Sequence, residues 1–67
     1  MAIGTAVERG GNVHVFDENG RLLFVRSAGY KPGDGLKGYT SSTVTIQRGD
    51  QIYVFDERGR LLYTRAA

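Results

Sequence analysis

Apolar and polar residues alternate with a period of two along much of the chain, most clearly in Thr43–Gln47, which reads TVTIQ. Such alternation is the pattern of a β-strand that is buried on one face only. Similar runs rich in Val, Ile, Tyr, Phe and Thr are separated by short segments with Gly and Asp, as in strands joined by hairpin turns. No stretch of helical length shows a 3.6-residue period. The pattern therefore predicts an all-β protein.

This strand pattern occurs twice. A shift of 39 positions aligns residues 1–28 with residues 40–67, and 12 of the 28 aligned pairs are identical. Each unit contains three predicted strands, and the linker 29–39 joins the two units. We therefore predict a single domain, residues 1–67, built from two three-stranded antiparallel meanders. Related by a pseudo-twofold axis, the meanders would form a small sandwich or a partly open barrel.

Glycine positions predict the turns. Gly10-Gly11 and Gly49-Asp50 suit two-residue hairpin loops, because Gly adopts a positive φ without steric cost. Residues 17–20 and 56–59 both begin with Asp and end with Gly. They suit a type I turn followed by a left-handed glycine in a β-bulge.

The turns assign residues to faces. If Asp56 and Arg60 close their turn, Phe55 opposes Leu61. Further along the same two strands, Tyr53 then opposes Tyr63. The predicted core faces are Thr5, Val7, His14, Phe16, Leu22 and Phe24 in the first unit, and Val44, Ile46, Tyr53, Phe55, Leu61 and Tyr63 in the second.

The opposite face of the first unit is largely apolar. Its exposure would favour self-association, either through this face or through edge strands. The residues predicted for the self-association face are Val13, Val15, Leu23 and Val25. Two alternatives remain open: the stems of Arg and Lys cover this face, or the strand register is shifted by one residue.

Chain length also favours a partner. With 67 residues and no cysteine, the chain buries only about 60% of its unfolded surface and has no disulfide to compensate. Small domains of this kind depend on very regular packing or on oligomerisation. The net charge of +2 is mild, and the sequence has no signal-peptide pattern and no apolar run of membrane-spanning length. We expect a cytoplasmic protein with no membrane partner.

Candidate catalytic groups are few. His14 aligns with Tyr53 in the second unit, which favours a packed aromatic ring with a polar tip over a ligand or general base. Asp17 and Asp56, with the glutamates that follow them, lie at hairpin tips, and a calcium loop needs more oxygen ligands than these tips supply. No nucleophile has an adjacent base. The sequence therefore predicts a protein that is not an enzyme and holds no metal or cofactor.

Recurring arginines indicate a second possible function, the binding of single-stranded nucleic acid. Such sites combine cations along the backbone with aromatic rings on which bases stack. The candidate contacts are Arg21, Arg26, Arg60, Arg65, Tyr30 and Tyr39. In the competing interpretation, Arg21 and Arg60 pair with the aspartates across their turns.

Two further segments have competing interpretations. Arg48-Gly49-Asp50 is the tripeptide of integrin ligands, but it falls where a hairpin turn is predicted. The linker 29–39 is Gly-rich and basic but lacks the spacing of a phosphate-binding loop. It is therefore predicted as a crossover between the sheets, with a type II turn at 31–34. The same linker could also be a hinge for domain swapping between two chains.

The segments VFDENGRLLFVRSAG and YVFDERGRLLYTRAA resemble the YD repeat of Rhs-type proteins, an aromatic-Asp-x-x-Gly-Arg-Leu motif followed by a β-strand. Phe16 and Phe55 stand where that family usually has Tyr. The resemblance implies a β-hairpin in each unit. It does not imply encapsulation of a toxin, which needs many copies. The segment GYTSSTVTIQRG is also similar to small bacterial proteins of unknown function, which implies a bacterial origin.

Two functions follow from these patterns. The leading prediction is a self-associating structural or protein-interaction module, whose partner is a second copy of itself or another protein. The alternative is a small basic β-protein that binds nucleic acid.

Overall fold

The structure, a computed structural model, describes residues 2–29 and 33–66. Over these residues the chain forms seven β-strands and no helix, which confirms the all-β prediction. The strands are β1 (Ile3–Arg9), β2 (Asn12–Asp17), β3 (Leu22–Ser27), β4 (Gly35–Tyr39), β5 (Thr43–Arg48), β6 (Gln51–Asp56) and β7 (Leu61–Ala66). The described part of the chain accordingly contains no helix with the length and hydropathy needed to cross a bilayer.

The strands form two antiparallel sheets. The first sheet contains β1, β2 and β3 in that order, and the second contains β4, β5, β6 and β7. Strands that follow each other in the sequence are neighbours within each sheet, so both sheets are meanders. The sheets do not close into a barrel, and one face of each packs against the other in a small sandwich-like arrangement.

The hairpin turns follow the predicted glycine pattern. Gly10 and Gly11, in the β1–β2 turn, have φ angles of 55° and 82°, which other residues rarely adopt. In the β2–β3 turn, the amide of Gly20 donates to the carbonyl of Asp17 at 3.1 Å, and Gly20 has a φ of 85°. The β6–β7 turn repeats this geometry with Gly59 at a φ of 83°. The predicted left-handed glycine is therefore present in both units.

β4 is a strand that the sequence pattern does not predict. It lies within the linker and pairs with β5, so the second sheet has four strands instead of the expected three. Its sequence GLKGY contains two glycines, which are depleted in strands. Tertiary contacts compensate, because Leu36 packs against the core and its amide donates to Glu8 Oε1 on β1 at 3.0 Å. The predicted turn at 31–34 lies mostly outside the described residues.

The registers set by the two-residue turns are those predicted. Val7 opposes His14 in the first sheet, and Ile46 opposes Tyr53 in the second. A two-residue loop leaves one possible pairing for the strands that it joins, so the turn residues fix the register.

The register after the aspartate turns differs from the prediction. Phe55 opposes Leu61 as expected, but Val54 opposes Tyr63, because Leu62 is an extra residue between these two pairs. The same irregularity occurs in β3 of the first sheet. Since one extra residue moves every later side chain to the other face, Tyr63 leaves the predicted core face.

The core lies between one face of each sheet. Its buried residues are Ile3, Ala6, Val13, Val15, Phe24, Ala28, Val44, Ile46 and Phe55. Alternate residues of a strand point to the same face. The inner face of the first sheet is therefore the one that holds Val13 and Val15, and the inner face of the second sheet holds Val44 and Ile46.

The first sheet presents the opposite face from the one predicted. Val7, expected in the core, is 39% exposed, whereas Val15 is fully buried. Val7 aligns with Ile46, which is fully buried, so the two faces that meet in the core are not equivalent in the repeat. A twofold axis would bring equivalent faces together. The two units therefore present different aligned faces to the core.

Arg26 on β3 connects the two sheets. Its guanidinium carbon lies 5.2 Å from the ring centroid of Phe24 and 5.6 Å from that of Phe55. The Nη2 atom donates a hydrogen bond to the carbonyl of Gly59 at 2.6 Å, in the β6–β7 turn. We call this set of interactions the Arg26 contact. It combines cation–π attraction with a charge-assisted hydrogen bond between the sheets.

Candidate functional site

β7 is an exposed edge of the second sheet. Among the described strands only β6 pairs with it, and all six of its residues are exposed. Leu61, Leu62 and Tyr63 are 51%, 50% and 52% exposed, respectively. An unpaired strand edge with large apolar side chains is a surface to which a further chain can add. β7 is therefore the candidate binding site of the protein.

Each sheet also has an outer face, which points away from the core. The outer face of the first sheet carries Thr5, Val7, His14, Phe16, Leu22 and Val25. The outer face of the second sheet carries Thr45, Gln47, Ile52, Val54, Tyr63 and Arg65. Val54 is only 6% exposed, although it belongs to this face and lies outside the core cluster.

The predicted self-association face does not form an exposed surface. Val13 and Val15 are fully buried in the core, and Leu23 and Val25 are half-buried. Leu23 also packs against the core cluster. The prediction assigned this face to the outside, whereas the first sheet turns Val13 and Val15 inward. The large exposed apolar side chains lie instead on β7, on the outer face of the first sheet and, at Tyr39, on β4.

The side chains predicted to contact nucleic acid lie in different environments. Arg26 is half-buried and is held between the sheets by the Arg26 contact. The other predicted arginines are exposed, and they are Arg21, Arg60 and Arg65. Tyr39 on β4 is 44% exposed, and Tyr30 lies outside the described residues. One of the predicted cations therefore already has a structural role.

Aspartate carboxylates organise the tips of two hairpins. Asp17 Oδ1 accepts hydrogen bonds from the amides two and four residues later, both at 2.8 Å. Asp56 Oδ1 makes the same two bonds at 2.9 Å. The later amide belongs to Arg21 in one turn and to Arg60 in the other. Arg21 and Arg60 are thus held at these turns through their backbone amides.

The Asp56 turn should lose stability in acid. The backbone amide of Arg60 lowers the pKa of Asp56 from its ordinary value of 3.8. Loss of hydration partly opposes this, while the amide of Arg58 and the charges of both arginines lower the pKa further. A carboxylate with a lowered folded-state pKa stabilises fully above its unfolded pKa and loses that contribution as the pH falls through the folded value. Asp56→Asn should therefore be less stable than the wild type near neutral pH, and the two should converge below about pH 4.

Urea unfolding of both proteins at about pH 7 and about pH 2.5 measures this convergence. Asp50→Asn removes the same charge from another hairpin turn and controls for the change in net charge. An Asp56→Asn deficit of equal size at both pH values would show that the charge of Asp56 contributes nothing.

The described residues enclose no cavity, and they contain no cluster of three or more His, Cys, Asp or Glu side chains that could hold a metal ion. His14 is half-buried between Val7 and Val25, and its Nδ1 is buried without a hydrogen-bond partner in the described part of the chain. The imidazole thus has aliphatic cross-strand neighbours, in keeping with its alignment to Tyr53.

The Arg48-Gly49-Asp50 tripeptide forms the β5–β6 turn, as predicted. Gly49 has a φ of 61°, and its amide donates to Asp34 Oδ1 at 2.8 Å. The Arg48 guanidinium lies 4.4 Å from the ring centroid of Tyr53, on the neighbouring strand. The tripeptide therefore takes part in the fold of the second sheet.

Tyr63 and Arg65 lie together on an exposed face, which the sequence pattern does not predict. The sequence pattern places Tyr63 in the core and Arg65 among the candidate nucleic-acid contacts. The extra residue at Leu62 places both on the outer face of the second sheet. The turn motif predicts a β-bulge, but it does not indicate that Leu62 is the extra residue of the strand.

Comparisons with known proteins give no match: the chain matches no protein-family model, no curated protein and no solved structure. The resemblance of the two hairpins to YD repeats therefore rests on the motif residues at 16–22 and 55–61.

Proposed function

We propose that this chain is a non-catalytic structural module that acts by self-association at β7. The observation that carries the proposal is the exposure of every residue of this edge strand, with three large apolar side chains about half exposed. Covering apolar surface contributes about 25 cal/mol per Å². A domain of 67 residues without disulfides has much to gain from this contribution.

The sequence of β7 supports this proposal. Natural edge strands are protected by short length, charged residues, proline or a bulge in the strand. β7 is six residues long, contains one charged residue, Arg65, and has no proline. Its bulge lies next to the turn, so residues 63–66 pair regularly with β6. Most of the strand is therefore free to receive a partner.

Self-association is tested by sedimentation velocity over about 1–100 µM. We expect the weight-average mass to rise above the 7.4 kDa of one chain as the concentration increases. Tyr63→Lys places a charge on the exposed strand and should weaken association at least about tenfold, which corresponds to about 1.4 kcal/mol.

The matched control is Tyr39→Lys, on β4 at the other edge of the same sheet. It makes the same substitution at a tyrosine of similar exposure, 44% against 52%, and should leave the mass distribution unchanged. A single 7.4-kDa species at all concentrations, or equal weakening by both variants, would rule out self-association at β7.

Nucleic-acid binding is the second candidate, and the exposure of Arg21, Arg60 and Arg65 favours it. Contacts with phosphates release counterions, so such binding weakens steeply with salt. A labelled single-stranded oligonucleotide added at about 50 mM salt would co-sediment with the protein and dissociate at higher salt. Absence of co-sedimentation at low salt would remove this candidate.

A further inference from the structure

The core contact within the chain joins two different faces of a repeated unit. The repeat alignment makes the two faces of one unit comparable with those of the other. The first sheet packs one of these aligned faces into the core, and the second sheet packs the opposite one. Each unit therefore uses one face inside the chain and leaves the other face outside. The two unused faces are the outer faces of the two sheets.

The outer face of the second sheet is the aligned copy of the inner face of the first. The aligned pairs are Ala6 with Thr45, Glu8 with Gln47, Val13 with Ile52, Val15 with Val54, Phe24 with Tyr63 and Arg26 with Arg65. The aromatic ring and the arginine of the Arg26 contact are both retained. In the second sheet, however, these two side chains are exposed.

The outer face of the first sheet is, in turn, the aligned copy of the inner face of the second. The aligned pairs are Thr5 with Val44, Val7 with Ile46, His14 with Tyr53, Phe16 with Phe55 and Leu22 with Leu61. In the second sheet, Val44 and Ile46 are fully buried beneath the first sheet. In the first sheet, their aligned counterparts Thr5 and Val7 are exposed.

We propose that the outer face of the second sheet binds the outer face of the first sheet in another copy of this chain, with the arrangement of the core contact. The inference rests on the proposed self-association and specifies its geometry as a contact through the side chains that β7 contributes to this face, Tyr63 and Arg65. The two outer faces should be complementary, because their aligned counterparts already pack against each other in the core of each chain. The occupant of each outer face is therefore a second copy of the same chain.

The Arg26 contact predicts the central interaction between copies. Arg65 would lie over Tyr63 of its own chain and Phe16 of the next chain, and its guanidinium would donate to the carbonyl of Gly20 in that chain. The acceptor site is open: Gly20 is exposed, and no described residue lies within 4 Å of a Cβ built on it. By contrast, the same position at Gly59 is buried beneath Arg26 and Phe24.

A contact between two different faces does not close on itself. Each added chain presents a new free face, so the interface is heterologous and generates a ring or a linear stack of sheets. One core interaction has no counterpart, since β4 belongs only to the second sheet and its bond from Leu36 to Glu8 joins the sheets within one chain. The contact between chains is therefore weaker than the contact within a chain, and a reversible assembly is expected.

Two singly blocked variants test this geometry. Tyr63→Glu blocks the outer face of the second sheet, and Val7→Glu blocks the outer face of the first. Each variant alone should sediment as a 7.4-kDa monomer, because every pairing then includes a blocked face. An equimolar mixture should contain a dimer of twice that mass and nothing larger, since the one remaining pair of intact faces joins one chain of each kind.

Circular dichroism and urea unfolding confirm that the variants are folded, and Ser42→Glu, in an exposed loop, controls for the added charge. If either variant fails to fold, Arg65→Glu or Thr5→Glu replaces it on the same face. Two outcomes would overturn this geometry but leave self-association standing, provided that the wild type associates. In the first, either blocked variant still associates alone. In the second, the mixture stays monomeric. A wild type that stays monomeric overturns both.

Discussion

Ile46→Ala should lower the free energy of unfolding by about 2–5 kcal/mol, whereas Val7→Ala should change it by less than about 1 kcal/mol. The two residues occupy aligned positions of the repeat, and both are β-branched and apolar. Ile46 is fully buried between the sheets, but Val7 is 39% exposed on the outer face of the first sheet. Truncation of Ile46 leaves a cavity in a packed core, while truncation of Val7 removes a side chain that water already reaches.

Urea unfolding of dilute protein, at a concentration where the chain is monomeric, gives both values. The Ile46→Ala deficit should be independent of protein concentration. The Val7→Ala deficit should grow as the concentration rises, because assembly adds stability only to the associated state. Equal losses for the two variants in dilute solution would mean that the aligned faces are equally buried, contrary to the structure.

Gly4→Ala should destabilise the fold by about 1–3 kcal/mol. A Cβ built on Gly4 would lie 2.6 Å from both the carbonyl oxygen of Asp17 and the Cα of Glu18. These are backbone atoms at the end of β2, so they cannot rotate away as a side chain would. The register between β1 and β2 is irregular at this point, and the added methyl group would push the two strands apart.

Gly38→Ala is the matched control for Gly4→Ala. Both glycines lie within strands and lack a positive φ, but nothing lies within 4 Å of a Cβ built on Gly38. Its replacement should be neutral or stabilising by up to about 1 kcal/mol, because alanine restricts the unfolded chain. Thermal unfolding of the two variants in parallel measures the difference. Equal stability would show that β1 and β2 can separate at Gly4 without cost.

Local turn chemistry explains why much of the fold is predictable from the sequence. Gly10-Gly11 permits a two-residue loop, and the loop determines which residues of β1 and β2 are opposite each other. The aspartate of each FDxxGRLL motif accepts the amide of its arginine, which sets the closing pair of the turn. These interactions join residues that are close in the sequence, so the residue types alone are enough to identify them.

The choice of inner face is not predictable in the same way. In β2 of the first unit, Val13 and Val15 alternate with His14 and Phe16, so both faces have enough apolar surface to form a core. The repeat suggests that aligned residues share one environment, and this assumption places the first sheet the wrong way round. The choice depends on how the two sheets fit together, which no single strand encodes.

The candidate site depends on the same long-range fit. β4 forms from a glycine-rich linker because it pairs with β5 and because Leu36 packs against the core. Tyr63 reaches the surface because Leu62 is accommodated as an extra residue. Sequence patterns identified the exposed arginines Arg21, Arg60 and Arg65, but they did not identify β7 as the open edge.

The Arg26 contact also has a consequence for the order in which the molecule folds. Its hydrogen bond joins residues 33 positions apart, whereas hairpin bonds join residues separated by a few positions. Closing a longer loop costs more entropy, so we expect the hairpins to form first and the two sheets to dock afterwards. At the docking step, the inner face of one unit can pack against the other unit of the same chain or against a unit of another chain. Because the linker keeps the internal partner at a high effective concentration, we expect the chain to complete its own core before it enters the proposed assembly.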